Sequence, residues 1–528
     1  MNLGRLLLAS GSLFLLAVAV ACGSGADRNA ARDAAAPTST SAPRDAAAPV
    51  ESGPPKRIFA KRFVVHVFES PNREAKKLGY LRGGAVLQAT TATALSREGG
   101  CVGGWYELTT GGFVCNGPDV QTFVGKRLPA GRAVQPDLDA PLPYQYGGLR
   151  RESPLYRRLP TDEEAAQYEG YVIPGVEPVA GAEGAAPAEG AAAPPAAATP
   201  APAPAPVAGA QPAEGTGGPG STAVVEEPTG PPTLADLQGE RGSVVYRHLM
   251  PGFIVSLDRT FRIGERRYWR TQQNGFVPIA RVGLRHGSEF RGVVIDGQEW
   301  ALPIAFMVER GAGFHTKDAH GRIRAGRGRM AYHDRVRVLG REDIGGTSYL
   351  QVTGDRYVRA SDVTPIEARP RPEGVGPDEQ WIDVDLAHQT LVAYEGDRPV
   401  FATLVSTGRI REPGDPELDH RTPTGTFRIT AKHISTAMDG DSAVDGPYSI
   451  DDVPYVMYFH QAYALHSAFW HDRFGHPKSH GCVNMAPEDA KWVFRWSRPT
   501  VQPGWHGAFT APNRQGTVVV VRGETPGS

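Results

Sequence analysis

The chain of 528 residues is poor in cysteine: Cys22, Cys101, Cys115 and Cys482 are the whole set. Four thiols so far apart exclude a fold framed by disulfides, and each needs its own explanation. Neither sign of charge is in excess; the formal net charge of −1 argues against nucleic acid as a partner. Cys-x-x-Cys and His-Glu-x-x-His spacings are missing, so neither a metal nor a cofactor is expected. Apart from one short N-terminal stretch, no apolar run approaches the length of a membrane span. Glycine (63) and proline (46) are abundant, which favours turn-rich β domains joined by extended linkers, and the length calls for several of them.

The apolar run Leu6 to Val20 follows Arg5 and ends in Ala19-Val20-Ala21-Cys22. It reads as an export signal. Its end resembles a bacterial lipobox, which implies a lipid anchor on Cys22, a membrane as partner and an exported chain. Gly23 after the cysteine resembles outer-membrane sorting, so the expected location is periplasmic with the lipid in the outer membrane, inner-membrane or outer-surface anchoring being the alternatives. Residues 23–55 hold almost no large apolar side chain and are expected to be a disordered tether. An oxidising compartment permits Cys101 and Cys115, which flank a hairpin, to pair. Closing that 15-residue loop contributes about 3 kcal/mol in the chain-entropy model.

Residues 56–125 read as a β module, with strands at Phe63 to Phe68 and Leu78 to Leu87 and a hairpin from Trp105 to Val114. The hairpin recurs as Tyr268-Trp269-Arg270 with Gly275-Phe276-Val277, and as Tyr349-Leu350-Gln351-Val352 with Arg356-Tyr357-Val358. This pattern resembles the distal part of bacterial SH3-like barrels. Residues 126–173 read as an extension and 174–235 as an Ala/Pro-rich disordered linker. Residues 240–368 form a second β-rich region.

From residue 379 to 523 alternation is clean. Ile382, Val384 and Leu386 fall on one face of a strand, and Thr390 to Tyr394, Val400 to Val405, Gly425 to Ile429, Pro454 to Phe459 and Thr517 to Val521 follow as further strands. Pro487 to Trp496 is the one helix, started by Pro487 with Glu488 and Asp489 in its first turn. Between strands and helix lies the chemistry: His466-Ser467 and, from Ser479, Ser479-His480-Gly481-Cys482-Val483-Asn484. A thiol improved by an imidazole that takes its proton, and a polar group that orients the imidazole, suit nucleophilic acyl transfer. A zinc site built from His466, His471, His476, His480 and Cys482 is the rival reading, but it leaves the glycine between His480 and Cys482 without a purpose.

The stretch Ser479 to Asn484, with His466 upstream and Arg421-Thr422-Pro423-Thr424-Gly425-Thr426-Phe427 as a strand entry, resembles the YkuD-like L,D-transpeptidase family. The resemblance implies a mainly β fold: a C-terminal β-sandwich with one helix, preceded by the small β modules. It implies a cysteine acyltransferase acting on peptidoglycan stem peptides. Cys482 is then the nucleophile, His466 the base and Ser467 its orienting group. Gly481 with Cys482 would present N–H groups to the oxyanion, while His480, Ser479 and Asn484 shape the loop. Residues 431–453 are expected as a flap, with Tyr455, Tyr458 and Trp470 on the substrate side. The acceptor is left open among a stem amine, water (an L,D-carboxypeptidase) and a protein amine. A non-catalytic wall-binding scaffold lipoprotein is the alternative from a different class.

Overall fold

The computed structural model describes residues 53–128, 133–171, 232–410, 419–441, 446–511 and 515–526. The export signal with Cys22, nearly all of the 23–55 tether and nearly all of the 174–235 linker lie outside the described residues. Strands dominate, and the described residues hold two α-helices, Asp162–Glu169 and Pro487–Trp496.

The C-terminal region is built on two sheets. In the first, Gln380–Asp385 is central, antiparallel to Thr390–Glu395 and parallel to Val518–Arg522. Arg398–Leu404 and Gly425–Arg428 continue the sheet outward, and Val293–Val294 from the preceding connector closes one edge. Both faces are covered. Ile382, Val384 and Leu391 join the core beneath the second sheet, whereas Trp381, Val392 and Tyr394 pack with Phe290, Val293 and Phe306. Asp383 and Asp385, nearly buried, are neutralised by Arg522, which donates to each at 2.7 Å.

The second sheet runs from the hairpin Ala431–Gly440 and Tyr448–His460 through Tyr463–Ser467 to Val483–Met485. The last two strands are parallel. Helix Pro487–Trp496 then buries Ala490, Val493 and Phe494, one face at helical spacing, in the core between the sheets. Its C-terminal carbonyls are met by Lys432, a buried lysine whose Nζ donates to Phe494 O and, at 2.7 Å, to Ser497 O.

All three recurring hairpins form: Trp105–Glu107 with Phe113–Cys115, Arg266–Thr271 with Phe276–Pro278, and Thr347–Thr353 with Arg356–Arg359. The second and third each leave through a single 3-10 turn, at Ile279–Arg281 and Ala360–Asp362. Cys101 and Cys115 are joined as a disulfide beside the first hairpin.

Two expectations are corrected. Residues 126–173 are not an appendage: Gln145–Leu149 pairs with Ile254–Ile263 and Val282–Arg285, and Ser153–Tyr156 pairs with Val245–Leu249. The second module is therefore assembled from residues 133–171 and 232–285, on either side of the Ala/Pro-rich segment. Nor do the described residues of 431–453, which are 431–441 and 446–453, form a flap. Ile450 bridges to Ile254 of the second module, and Asp452 is ion-paired with Arg82 of the first.

The modules are fused to the C-terminal sheets. Strand Gly507–Phe509 lies between Lys77–Arg82 of the first module and Ala431–Gly440. Trp505 enters the first module's core, its Nε1 donating to Thr110 Oγ1 at 3.0 Å. Gly79 makes room, since a Cβ there would stand 2.2 Å from Gly507 O and 2.6 Å from the Trp505 ring.

Candidate active site

The parallel pairing of Tyr463–Ser467 with Val483–Met485 sets the site. Leu465 is opposite Val483 and His466 opposite Asn484, so Cys482 stands at the level of Ala464. Asn484 and His466, directly opposite each other, therefore project from one side of the sheet, with Cys482 just before the strand that carries Asn484.

His466 is almost fully buried, and its Nδ1 lies 3.0 Å from Ser467 O. A carbonyl only accepts, so Nδ1 carries the proton and Nε2 holds the free lone pair. Burial lowers this imidazole to about 4. Ser467 acts here through its backbone; its buried hydroxyl finds no partner among the described residues. The Trp470 ring lies 5.8 Å from the imidazole, tilted by 29°.

Cys482 is a free, partly exposed thiol with Sγ 3.8 Å from Ala462 O. Burial pushes it up to about 11, and the Ala464 amide works in the other direction. At neutral pH both groups are therefore uncharged. Tyr448, Tyr458 and Tyr463 surround the sulfur closely enough for a thiolate to raise each phenol, after burial has already done so.

The loop before the cysteine is held from several sides. Ser479 Oγ accepts from Gly481 N–H at 3.1 Å and donates to Cys482 O. Gly481 has φ +119°, and a Cβ there would sit 2.5 Å from the Tyr463 ring. Thr422 Oγ1 donates to Gly481 O at 2.8 Å and accepts from Gly408 N–H at 2.9 Å. Ser406 and Asn484 exchange backbone bonds of 2.9 and 3.0 Å. The Asn484 side-chain amide lies 3.1 Å from His471 Nε2. His471 Nδ1 accepts from Arg473 N–H at 3.2 Å. His480 is turned toward His420, ring to ring at 4.5 Å.

Residues 379–521 match the family model of the YkuD L,D-transpeptidase catalytic domain. They are an L,D-transpeptidase domain of that family. Similar solved structures include a cysteine-to-serine mutant of the Enterococcus faecium L,D-transpeptidase, at 23% identity over 27% of this chain and 50% of that one, with a TM-score of 0.21. The L,D-transpeptidase of Stackebrandtia nassauensis is 24% identical over 30% of this chain and 61% of its own, with a TM-score of 0.20. L,D-transpeptidase 3 of Mycobacterium tuberculosis is 20% identical over 34% of this chain and 68% of its own, with a TM-score of 0.21. The chain thus spans about half the length of the first of these structures. No curated protein matches it.

Within the L,D-transpeptidase domain two expected site features are displaced. Tyr455 is 1% exposed, packs on Phe494 and donates from its hydroxyl to Ala140 O at 3.0 Å, so it is a core residue without a substrate-facing surface. The Gly481 N–H is taken by Ser479 and is not free to meet an oxyanion. Tyr448, Tyr463 and Thr422 surround the thiol and its loop without being site candidates in the sequence, and His471 figures there only in the rival zinc reading. For Thr422 a signal existed, since it lies inside the strand-entry motif.

Proposed function

We propose that the protein is a peptidoglycan L,D-transpeptidase with Cys482 as nucleophile and His466 as general base. One observation supports the reading: the strand that begins directly after Cys482 pairs in parallel with the strand of His466, and Ser467 O fixes the imidazole so that Nε2 is the accepting nitrogen. With thiol and imidazole both neutral, Nε2 takes the proton as the sulfur attacks the carbonyl preceding the terminal D-Ala of a stem tetrapeptide. The tetrahedral intermediate collapses by breaking the C–N bond, and His466 returns the proton to the departing D-Ala amine. A thioester remains on Cys482. An amine of a second stem attacks it, His466 takes that amine's proton, and the sulfur leaves and is reprotonated as the cross-link forms.

Ser479, Gly481, Thr422 and Asn484 hold the loop, and Tyr458 and Trp470 border the substrate. The chain acts outside the cytoplasm, anchored through Cys22, with the small β modules, read as SH3-like, facing the wall. Cys482→Ala should abolish D-Ala release from a disaccharide tetrapeptide, and a carbapenem should leave a mass adduct on the Cys482 peptide of the unaltered protein. Unchanged release from the variant would remove Cys482 from the reaction.

A further inference from the structure

The third module, residues 304–366, is distinct in charge. It holds ten arginines and one lysine against seven acidic residues, in a chain whose net charge is −1. Its five-stranded sheet ends in Ile323–Arg329, which pairs on one side only, with Gly313–Lys317, among the described residues. That outer strand exposes Arg324, Arg327 and Arg329. Arg324 shares Asp318 with Arg322, at 3.2 and 3.3 Å, while Arg327 and Arg329 have no carboxylate partner among the described residues. They are instead tied to backbone: Arg329 donates to Gly311 O at 3.0 Å, and Arg356, stacked on Phe314 at 3.8 Å, donates to Arg327 O.

A chain of ring contacts leads from this edge toward the loop before Cys482, passing Asp472, whose carboxylate lies 3.7 Å from His333 Nδ1. Exposed Arg310, next to Gly311, stacks over Tyr332 at 4.7 Å. Tyr332 stacks on His333 at 3.8 Å, and His333 Nε2 lies 3.2 Å from Phe474 O in the loop that joins His466 to Cys482. That loop carries exposed Arg473 and then Lys478, whose ammonium is lowered by burial and by the nearby Arg409 and Arg473. Charged edges also prevent unwanted strand pairing. That purpose is served by any exposed charge and does not require three arginines on one strand, two of them without a carboxylate partner among the described residues.

We propose that the outer strand of the third module, through Arg324, Arg327 and Arg329 with Arg310, docks the carboxylate-rich peptide strands of the wall polymer and leads them toward the Cys482 loop. This rests on peptidoglycan being the substrate. Its stem peptides carry several carboxylates each, and a multivalent anion is what a set of exposed arginines retains when Arg324 alone among the three on the strand has a carboxylate partner.

Binding is best read in a Cys482→Ala background, which separates it from turnover. The probe is purified sacculi, and the assay is co-sedimentation at rising salt. The parent should bind at about 0.05 M salt and release by about 0.5 M, where screening shortens to a few ångström. Arg324→Gln, Arg327→Gln and Arg329→Gln together should weaken binding at least about tenfold, while the triple lysine variant keeps most of it. Sacculi with amidated carboxylates should lose the parent as well. Equal binding by the glutamine variant, equal binding to amidated sacculi, or preference for phosphatidylglycerol vesicles over sacculi would each overturn the proposal. D-Ala release from a soluble tetrapeptide tests the transpeptidase reading separately, so the two can fail independently.

Discussion

Asp452→Ala probes the junction on which the whole assembly turns. Arg82 of the first module is 5% exposed and Asp452 1% exposed. The guanidinium grips both carboxylate oxygens, one of them at 2.9 Å. Ser256 of the second module and Ser435 of the hairpin donate to the same carboxylate at 2.5 and 2.8 Å, and Tyr146 donates to Asp452 O at 2.7 Å. Removing the carboxylate leaves a guanidinium buried without its counter-charge, and at this burial no solvent discount applies. The expected loss is about 3–5 kcal/mol. Urea unfolding followed by tryptophan fluorescence measures it.

Arg82→Met combined with Asp452→Leu should recover most of that loss, since a buried ion pair is often replaced by apolar side chains at little cost. The pH dependence has a definite sign. Burial alone would raise the Asp452 carboxyl, but Arg82 and the hydroxyl donors overcome this and hold it below its usual value. The stabilisation is therefore complete above the unfolded aspartate value near 3.9 and disappears as pH falls through the lower folded value. The Asp452→Ala protein should lack this acid-labile component. A loss under about 1 kcal/mol, or no recovery in the double variant, would refute the reasoning.

Further outcomes follow from the site. Because burial holds the Cys482 thiol near 11 and His466 near 4, iodoacetamide alkylation should rise about tenfold per pH unit above neutrality, and D-Ala release should fall only as pH drops toward 4; alkylation already level at pH 7 would indicate a thiolate–imidazolium pair instead. Thr422→Val strands the Gly408 N–H and the Gly481 carbonyl and should cost about 1–3 kcal/mol in thermal or urea unfolding, with Thr422→Ser restoring it. Gly481→Ala sets a Cβ 2.5 Å from the Tyr463 ring at a φ disfavoured for alanine, so carbapenem acylation of Cys482 followed by mass should slow at least about tenfold.

Local pattern was legible and long-range pairing was not. The alternation of Trp381 to Leu386, the Pro487-Glu488-Asp489 helix start and the three aromatic hairpins are short-range signals, and they appear where the sequence places them. His466 and Cys482 were also readable, because one parallel strand pair close in sequence brings them together. Tyr455 was misread because strand Tyr448–His460 is irregular. Asp452 and Tyr455 have positive φ, and the pairing slips between Thr436 and Met438. Simple alternation therefore fails to say which tyrosines face the sulfur. The insertion of Trp505 into the first module and the union of Gln145–Tyr156 with residues 245–285 join positions far apart along the chain. No window of neighbouring residues could register either.

The divided second module has a consequence for how the protein withstands cleavage. Strands Gln145–Leu149 and Ser153–Tyr156 stand among strands that follow the Ala/Pro-rich segment, and the first module is clasped by Trp505 and Gly507–Phe509 from near the other end of the chain. A protease cutting once within residues 172–231 would give two polypeptides but not two particles. The front half, with any lipid it carries, would stay seated on the half that holds Cys482. On a denaturing gel the nicked chain would look like two proteins while sedimenting as one.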